Sequence, residues 1–233
     1  MLTYLHYEIV NLIIKTANFA NLLKNQLMKK SILAFLMLII SLSTFSQESH
    51  GQFSLEGSYG LSIASTPNLT DTKYFNIGGR YMFNEFWGIK AFYSQDKFRT
   101  DATPATGVDY KIISAQAVYN VGRALSLPRY TGGFVNVLAH AGLGYTYAKS
   151  NIFPNDDNIG NVTIGITPQI YIIKNLTLHT DLSYTLNIKQ HYRMDGYPHD
   201  MVDRSNFFTG GILNASIGLT LYLGKHGSDN DWR

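Results

Sequence analysis

The chain has 233 residues and no cysteine. That excludes a disulfide scaffold, thiolate-held zinc, an iron–sulfur cluster and a thiol nucleophile. Charged residues make up 15%, below the ~25% usual for soluble domains, and the 20 Gly, 16 Tyr and 13 Phe favour strands over helix bundles. The formal net charge of +3 arises in residues 1–46, where Lys15, Lys24, Lys29 and Lys30 stand against Glu8 alone. The remainder is balanced, so the basic footprint of a nucleic-acid partner is missing.

Taken in chain order, residues 1–27 read as an upstream extension, with translation expected from Met28. A genuine amphipathic extension is the alternative. Residues 28–46 have the parts of a secretory signal peptide: Lys29 and Lys30, an apolar run over 32–42, and the small-x-small site Thr44-Phe45-Ser46. The apolar run is shorter than the ~17–25 residues of a spanning helix.

From Gln52 the pattern alternates with a period of two, the mark of a strand with one apolar and one polar face. Over 52–63, Phe53, Leu55, Tyr59 and Leu61 oppose Ser54, Glu56 and Ser58. Over 74–83, Phe75, Ile77 and Tyr81 oppose Asn76 and Arg80; over 87–94, Trp87, Ile89 and Tyr93 oppose Lys90 and Ser94. The segment 110–121 is the least regular, with Ile112 and Ile113 on opposite faces. Over 136–148, Val137, Leu143, Tyr145 and Tyr147 oppose Asn136, His140 and Thr146. Segment 161–172 sets Ile164 and Ile166 against Thr163, Thr167 and Gln169, and its Pro168 predicts a bulge or a strand end. Segment 176–188 sets Leu178, Leu182 and Tyr184 against His179, Asp181 and Ser183. Segment 212–223 sets Leu213, Ile217, Leu219 and Leu221 against Asn214, Ser216 and Thr220.

An even number of alternating segments of roughly ten residues predicts an all-β fold, an eight-stranded antiparallel transmembrane up-and-down β-barrel. Lipid offers the backbone no hydrogen-bond partners, so a membrane sheet must close on itself. Tight turns are expected at 84–86 and 174–175. Longer polar loops are expected at 64–73, 95–109, 149–160 and 189–205, and a structured turn over 122–132. A soluble lipocalin-like barrel competes at the level of fold. It requires an apolar interior, and four charges, Glu56, Arg80, Lys90 and Asp181, do not suit one.

The leader, the strand Leu138-Ala139-His140-Ala141-Gly142-Leu143-Gly144, the step Thr167-Pro168-Gln169 and the ending Leu219-Thr220-Leu221-Tyr222-Leu223-Gly224-Lys225 resemble OmpA-like outer-membrane β-barrels. The resemblance covers residues 50–226 and implies a cell outer-membrane location, with both mature termini in the periplasm. Residues 227–233 resemble the start of a linker. Peptidoglycan becomes an expected partner only if a C-terminal domain follows in the full protein.

The polar face collects Glu56, Arg80, Lys90, His140, Gln169, His179 and Asp181. Inside a narrow barrel such charges must pair, and eight strands leave an interior that side chains just fill. A polar plug is therefore expected, with Glu56 and Asp181 compensating Arg80 and Lys90. The expected role is structural, a membrane-embedded barrel that displays its loops at the surface. The alternative is a small passive pore or ligand-binding barrel. Tyr59, Tyr81, Trp87, Tyr93, Tyr145, Tyr147 and Tyr184 are candidates for interfacial aromatic girdles. A lipid-modifying enzyme is a further alternative. However, His179 and Ser183 lie about 13–14 Å apart along a strand, beyond the reach of a nucleophile and its base, and no enzymatic activity is expected. The His and Asp residues of the last loop, His191, Asp195, His199, Asp200 and Asp203, lack a tight metal spacing. The Gly142-x-Gly144 pair has no following helix to make a nucleotide loop. No cofactor or metal is expected. The expected partners are outer-membrane lipid and an extracellular ligand or surface met by the loops.

Overall fold

The computed structural model describes residues 51–154, 156–203 and 206–223. The extension, the leader and the tail at 227–233 lie outside them. Eight strands follow in order: β1 (Gln52–Ser65), β2 (Asn68–Met82), β3 (Trp87–Arg99), β4 (Gly107–Asn120), β5 (Val135–Ser150), β6 (Asp156–Ile173), β7 (Leu176–Gln190) and β8 (Phe208–Leu223). Each pairs antiparallel with its neighbours, and β1 pairs with β8 from Phe53↔Leu223 to Ala64↔Ile212, closing the barrel. Two short helices, α1 (Val121–Ala124) and α2 (Leu127–Thr131), fill the β4–β5 connection.

The two-residue alternation becomes two surfaces. Outward positions carry exposed aliphatic and aromatic side chains on all eight strands, among them Leu55, Ile77, Ile89, Ile113, Leu143, Ile164, Leu182 and Ile217. A contiguous apolar skin of this kind is unsuited to water and suited to hydrocarbon. Inward positions are mostly polar and buried. Neighbouring strands approach closely where the inward residue is glycine: a Cβ on Gly142 would lie 2.2 Å from the Ala115 carbonyl oxygen.

The strands are longer than their membrane-crossing parts, running from 13 residues in β3 to 18 in β6. Three expected loops are therefore mostly strand. The segment 64–73 contracts to Thr66-Pro67 between β1 and β2, 95–109 to residues 100–106, and 149–160 to residues 151–155. Where a strand rises beyond the apolar belt, its outward residues become polar, as at Lys97 and Lys149, while apolar ones such as Phe98, Val108 and Ile159 turn inward. The pattern of apolar outside and polar inside that reveals a strand therefore disappears. Only the last connection, 191–207, is long. At the opposite end Lys174-Asn175 joins β6 to β7. The Asn84 carboxamide oxygen shapes the β2–β3 turn by accepting from the backbone N–H of Phe86 (2.9 Å) and Trp87 (2.8 Å).

Pro168 neither ends β6 nor bulges it. It faces Val137 in register, and the described β6–β7 pairs pass from Ile166↔Leu182 to Gln169↔His179 without a shift. The shift comes later, between Tyr171 and Ile173. The irregular look of β4 also has a cause. Ile113 points outward, whereas Val108, Tyr110, Ile112 and Val118 point inward, so both faces of this strand are largely apolar.

The outward skin makes a direct prediction. Leu143, 69% exposed and central in β5, should destabilise the barrel by about 2–4 kcal/mol when changed to Arg, as expected for a lipid-facing midplane position. Val202→Arg in the last loop should leave stability unchanged. Denaturant unfolding in phospholipid vesicles measures both.

Candidate functional site

The barrel interior is stratified. Its middle is an ionic layer built from alternate residues of β1, β2, β3, β5, β6, β7 and β8. Arg80 reaches Glu56 (Nη1 to Oε1, 2.7 Å) and donates from Nη2 to the Tyr222 hydroxyl at 3.2 Å. That hydroxyl donates to Gln169 Oε1 at 3.1 Å, and the Arg80 guanidinium carbon lies 5.8 Å from the Tyr222 ring centroid. On the other side Asp181 Oδ2 accepts from Thr167 Oγ1 (2.7 Å), meets His140 Nε2 (2.9 Å) and lies 3.6 Å from Lys90 Nζ. His179 Nδ1 and the Thr220 hydroxyl are 2.9 Å apart.

Two acids and two fixed cations thus share one buried layer. Arg80 is only 1% exposed. Burial of such charges is costly unless each finds a partner, and the geometry supplies one to each. His179 and Ser183 do not form a catalytic pair: His179 engages Thr220, and the histidine that meets a carboxylate is His140. Tyr222 and Thr220, absent from the expected cluster, occupy the same inward column of β8 and were legible from its alternation.

Apolar clusters flank the ionic layer on either side, among other buried polar residues such as Asn120 and Asn136 at one end and Ser62, Asp96 and Asn214 at the other. Toward the short-turn end, Met82, Val118 and Leu138 pack together. Toward the loop end, Ala64, Phe98, Val108, Tyr110, Ala148, Ile159 and Ile212 form a second cluster, which Met194 of the last loop completes from above. Phe98 and Tyr110 meet edge to face at 5.9 Å.

The last loop is pinned into this mouth. The Met194 N–H donates to the Thr66 carbonyl at 3.0 Å, Ser150 Oγ donates to the Gly196 carbonyl at 2.7 Å, and Gln190 Nε2 donates to the Tyr192 carbonyl at 2.7 Å. The Asp157 carboxylate receives the backbone N–H of His191 (2.6 Å) and contacts His191 Nδ1 (2.8 Å). Gly196 adopts a φ of +87° and packs so closely that a Cβ would lie 2.7 Å from the Gly107 carbonyl oxygen. Three further polar residues of the loop have partners close by. His199 stacks on Phe208 at 4.6 Å, and Asp195 pairs with Arg193 at 2.9 Å. Asp200 accepts from the backbone N–H groups of Val202 (2.8 Å) and Asp203 (3.1 Å), and these bonds hold its carboxyl below the usual carboxylate range.

Tyr59, Tyr81, Trp87, Tyr93, Tyr145, Tyr147 and Tyr184 all stand on the outward face. Trp87 packs on Tyr119 (4.7 Å) beside Phe86 and near the short-turn end, where Tyr81 also meets Phe83 at 5.5 Å. Tyr145 and Tyr147 lie toward the loop end, donating to Asn158 (2.6 Å) and Asp156. Tyr59, Tyr93 and Tyr184 sit nearer the middle of their strands.

A closed barrel with an apolar skin and a charged interior agrees with the family to which the sequence is matched: a family model for the outer membrane protein beta-barrel domain covers residues 32–220. The chain belongs to that family. It is an outer-membrane β-barrel of the OmpA-like kind, located in the cell outer membrane. Among solved structures it is similar to Neisserial surface protein A (14% identity, TM-score 0.50, covering 74% of this chain and 97% of that one). It is also similar to a major outer membrane protein from Thermus thermophilus (13% identity, TM-score 0.51, covering 74% and 99%). At these identities the likeness is one of fold. No curated protein matches the chain.

The ionic layer of this outer-membrane barrel predicts non-additive mutations. Arg80→Met alone should cost about 3–5 kcal/mol, because Glu56 is left charged and buried. Adding Glu56→Gln to Arg80→Met should restore much of that loss. A double-mutant cycle on unfolding free energies reads the coupling.

Proposed function

We propose that this barrel is a structural, surface-display protein: a closed cylinder that anchors the 191–207 loop at the outer surface of the cell. The observation that carries the reading is the closed interior. A paired ionic layer fills the middle, and Met194, only 1% exposed, stoppers the loop end. A passive pore needs a continuous wet path, and the interlocked side chains and the Met194 stopper stand across it. An enzyme acting on lipid needs its acid–base groups within reach of lipid. His140 lines an outer-wall groove beside Gly165 but is only 4% exposed, and Asp181 is buried behind it in contact with Lys90, which supports a non-enzymatic role. The short-turn end, with α1 and α2, faces the periplasm in this reading. Tyr81 and Trp87 at the short-turn end, and Tyr145 and Tyr147 toward the loop end, form girdles where the apolar skin meets the two membrane surfaces. The loop end offers Val202, Met201, Phe207 and Tyr197 as exposed apolar groups for an extracellular ligand or surface.

The chain carries no cysteine, so single-cysteine labelling tests the orientation cleanly. Val202→Cys (98% exposed) should react with a membrane-impermeant maleimide on intact cells, and Leu125→Cys (61% exposed, after α1) only after the outer membrane is permeabilised. The reverse pattern overturns the display reading. In planar bilayers, protein verified as folded should pass no steady ionic current. Sustained unitary conductance would return the pore to first place.

A further inference from the structure

The outer wall carries a second charged feature that the closed interior does not explain. Lys73, Lys97, Lys111 and Lys149 all point outward from adjacent strands β2, β3, β4 and β5, near the loop end, and all are exposed. Their registers place them side by side. Lys111 faces Gln95 and Tyr147, Lys97 faces Asp109, and Asp109 in turn faces Lys149. The buried Asp71 carboxylate ties the first two together from inside, accepting the backbone N–H of Lys73 (2.9 Å) and of Lys97 (2.5 Å).

The carboxylates of this sector are already engaged. Asp109 pairs with Arg99, and Asp156 accepts from the Tyr147 hydroxyl. Among the described residues none of the four lysines has an ion pair. On these outward strand faces five cations, Lys73, Lys97, Arg99, Lys111 and Lys149, therefore meet two carboxylates, Asp109 and Asp156. The sector is one-sided: Lys189, on β7, lies 5.7 Å over the Phe207 ring instead.

Height decides the kind of partner. Three of the four lysines continue a column that is apolar or aromatic just below them: Phe75 under Lys73, Ile113 under Lys111, Tyr147 under Lys149; under Lys97 comes Gln95 and then Tyr93. Two residues along a strand are about 7 Å, so the lysines begin where the hydrocarbon belt ends. That is the level of lipid headgroups, and long lysine side chains extend along it with their ammonium groups in the polar zone. We propose that this lysine sector binds the phosphate groups of anionic lipids in the leaflet on the loop side. The proposal needs the membrane location and is independent of whether the barrel displays or conducts.

The test uses the full-length protein folded in nanodiscs of phosphatidylcholine with a minor fraction of phosphatidylglycerol. Lipids retained after transfer to mild detergent are then weighed by native mass spectrometry. Wild type should retain phosphatidylglycerol in excess of its share of the disc. The quadruple variant K73Q/K97Q/K111Q/K149Q should lose that excess about tenfold, as expected from several surface lysines acting together, whereas K189Q should keep it. Folding is verified by the shift in gel mobility between unboiled and boiled samples. If the quadruple variant does not fold, the pairs K73Q/K97Q and K111Q/K149Q should each lose part of the excess. Dilute inorganic phosphate should leave the excess intact; loss of the excess in its presence would assign the sector to free phosphate and overturn the proposal. Equal retention by wild type and the folded variants, or no excess in wild type, would also overturn it.

Discussion

The structure depends on one constraint: a backbone inside hydrocarbon must satisfy every N–H and C=O from within the protein. The pairing of β1 with β8 meets that demand, since without it both strands would present an unpaired edge to lipid. Closure has three consequences. It fixes which residues face outward, makes the apolar skin obligatory, and encloses a volume that eight strands can fill only with side chains.

The contents of that volume answer a second demand. The inward alternation places Glu56, Arg80, Lys90 and Asp181 away from bulk water, and their burial is tolerable because each cation lies beside a carboxylate. Tyr222, Thr167 and Gln169 complete the layer with hydrogen bonds to its charges and to one another. The ionic layer specifies how the strands face one another more than it adds stability, since buried ion pairs recover in attraction about what they lose in desolvation. The apolar clusters on either side contribute packing.

The loop end shows a division of labour. The last loop turns Met194 and Tyr192 inward to stopper the barrel, and Asp157 anchors its start. Its outer residues, Met201, Val202 and Phe207, remain exposed. Below them the outward columns of β2 and β5 change from apolar to aromatic to lysine within a few residues, from Ile77 to Lys73 and from Leu143 to Lys149.

The period-two alternation of the sequence by itself determined the strand number, the faces and the membrane-facing skin, because side-chain direction along a strand is fixed by covalent geometry alone. It also brought Glu56, Arg80, Lys90, His140, His179 and Asp181 to one face. Tertiary structure alone decided which charge meets which, since Arg80 and Glu56, or His140 and Asp181, are brought together by register across strands. It decided that β4 turns Val108, Tyr110 and Ile112 inward, because an apolar residue carries no mark of whether lipid or a neighbouring side chain will cover it. It also decided that Met194 enters the mouth and that three expected loops are strand. Above the membrane the outward residues become polar while apolar ones turn inward, and the pattern that makes a face legible in sequence is lost.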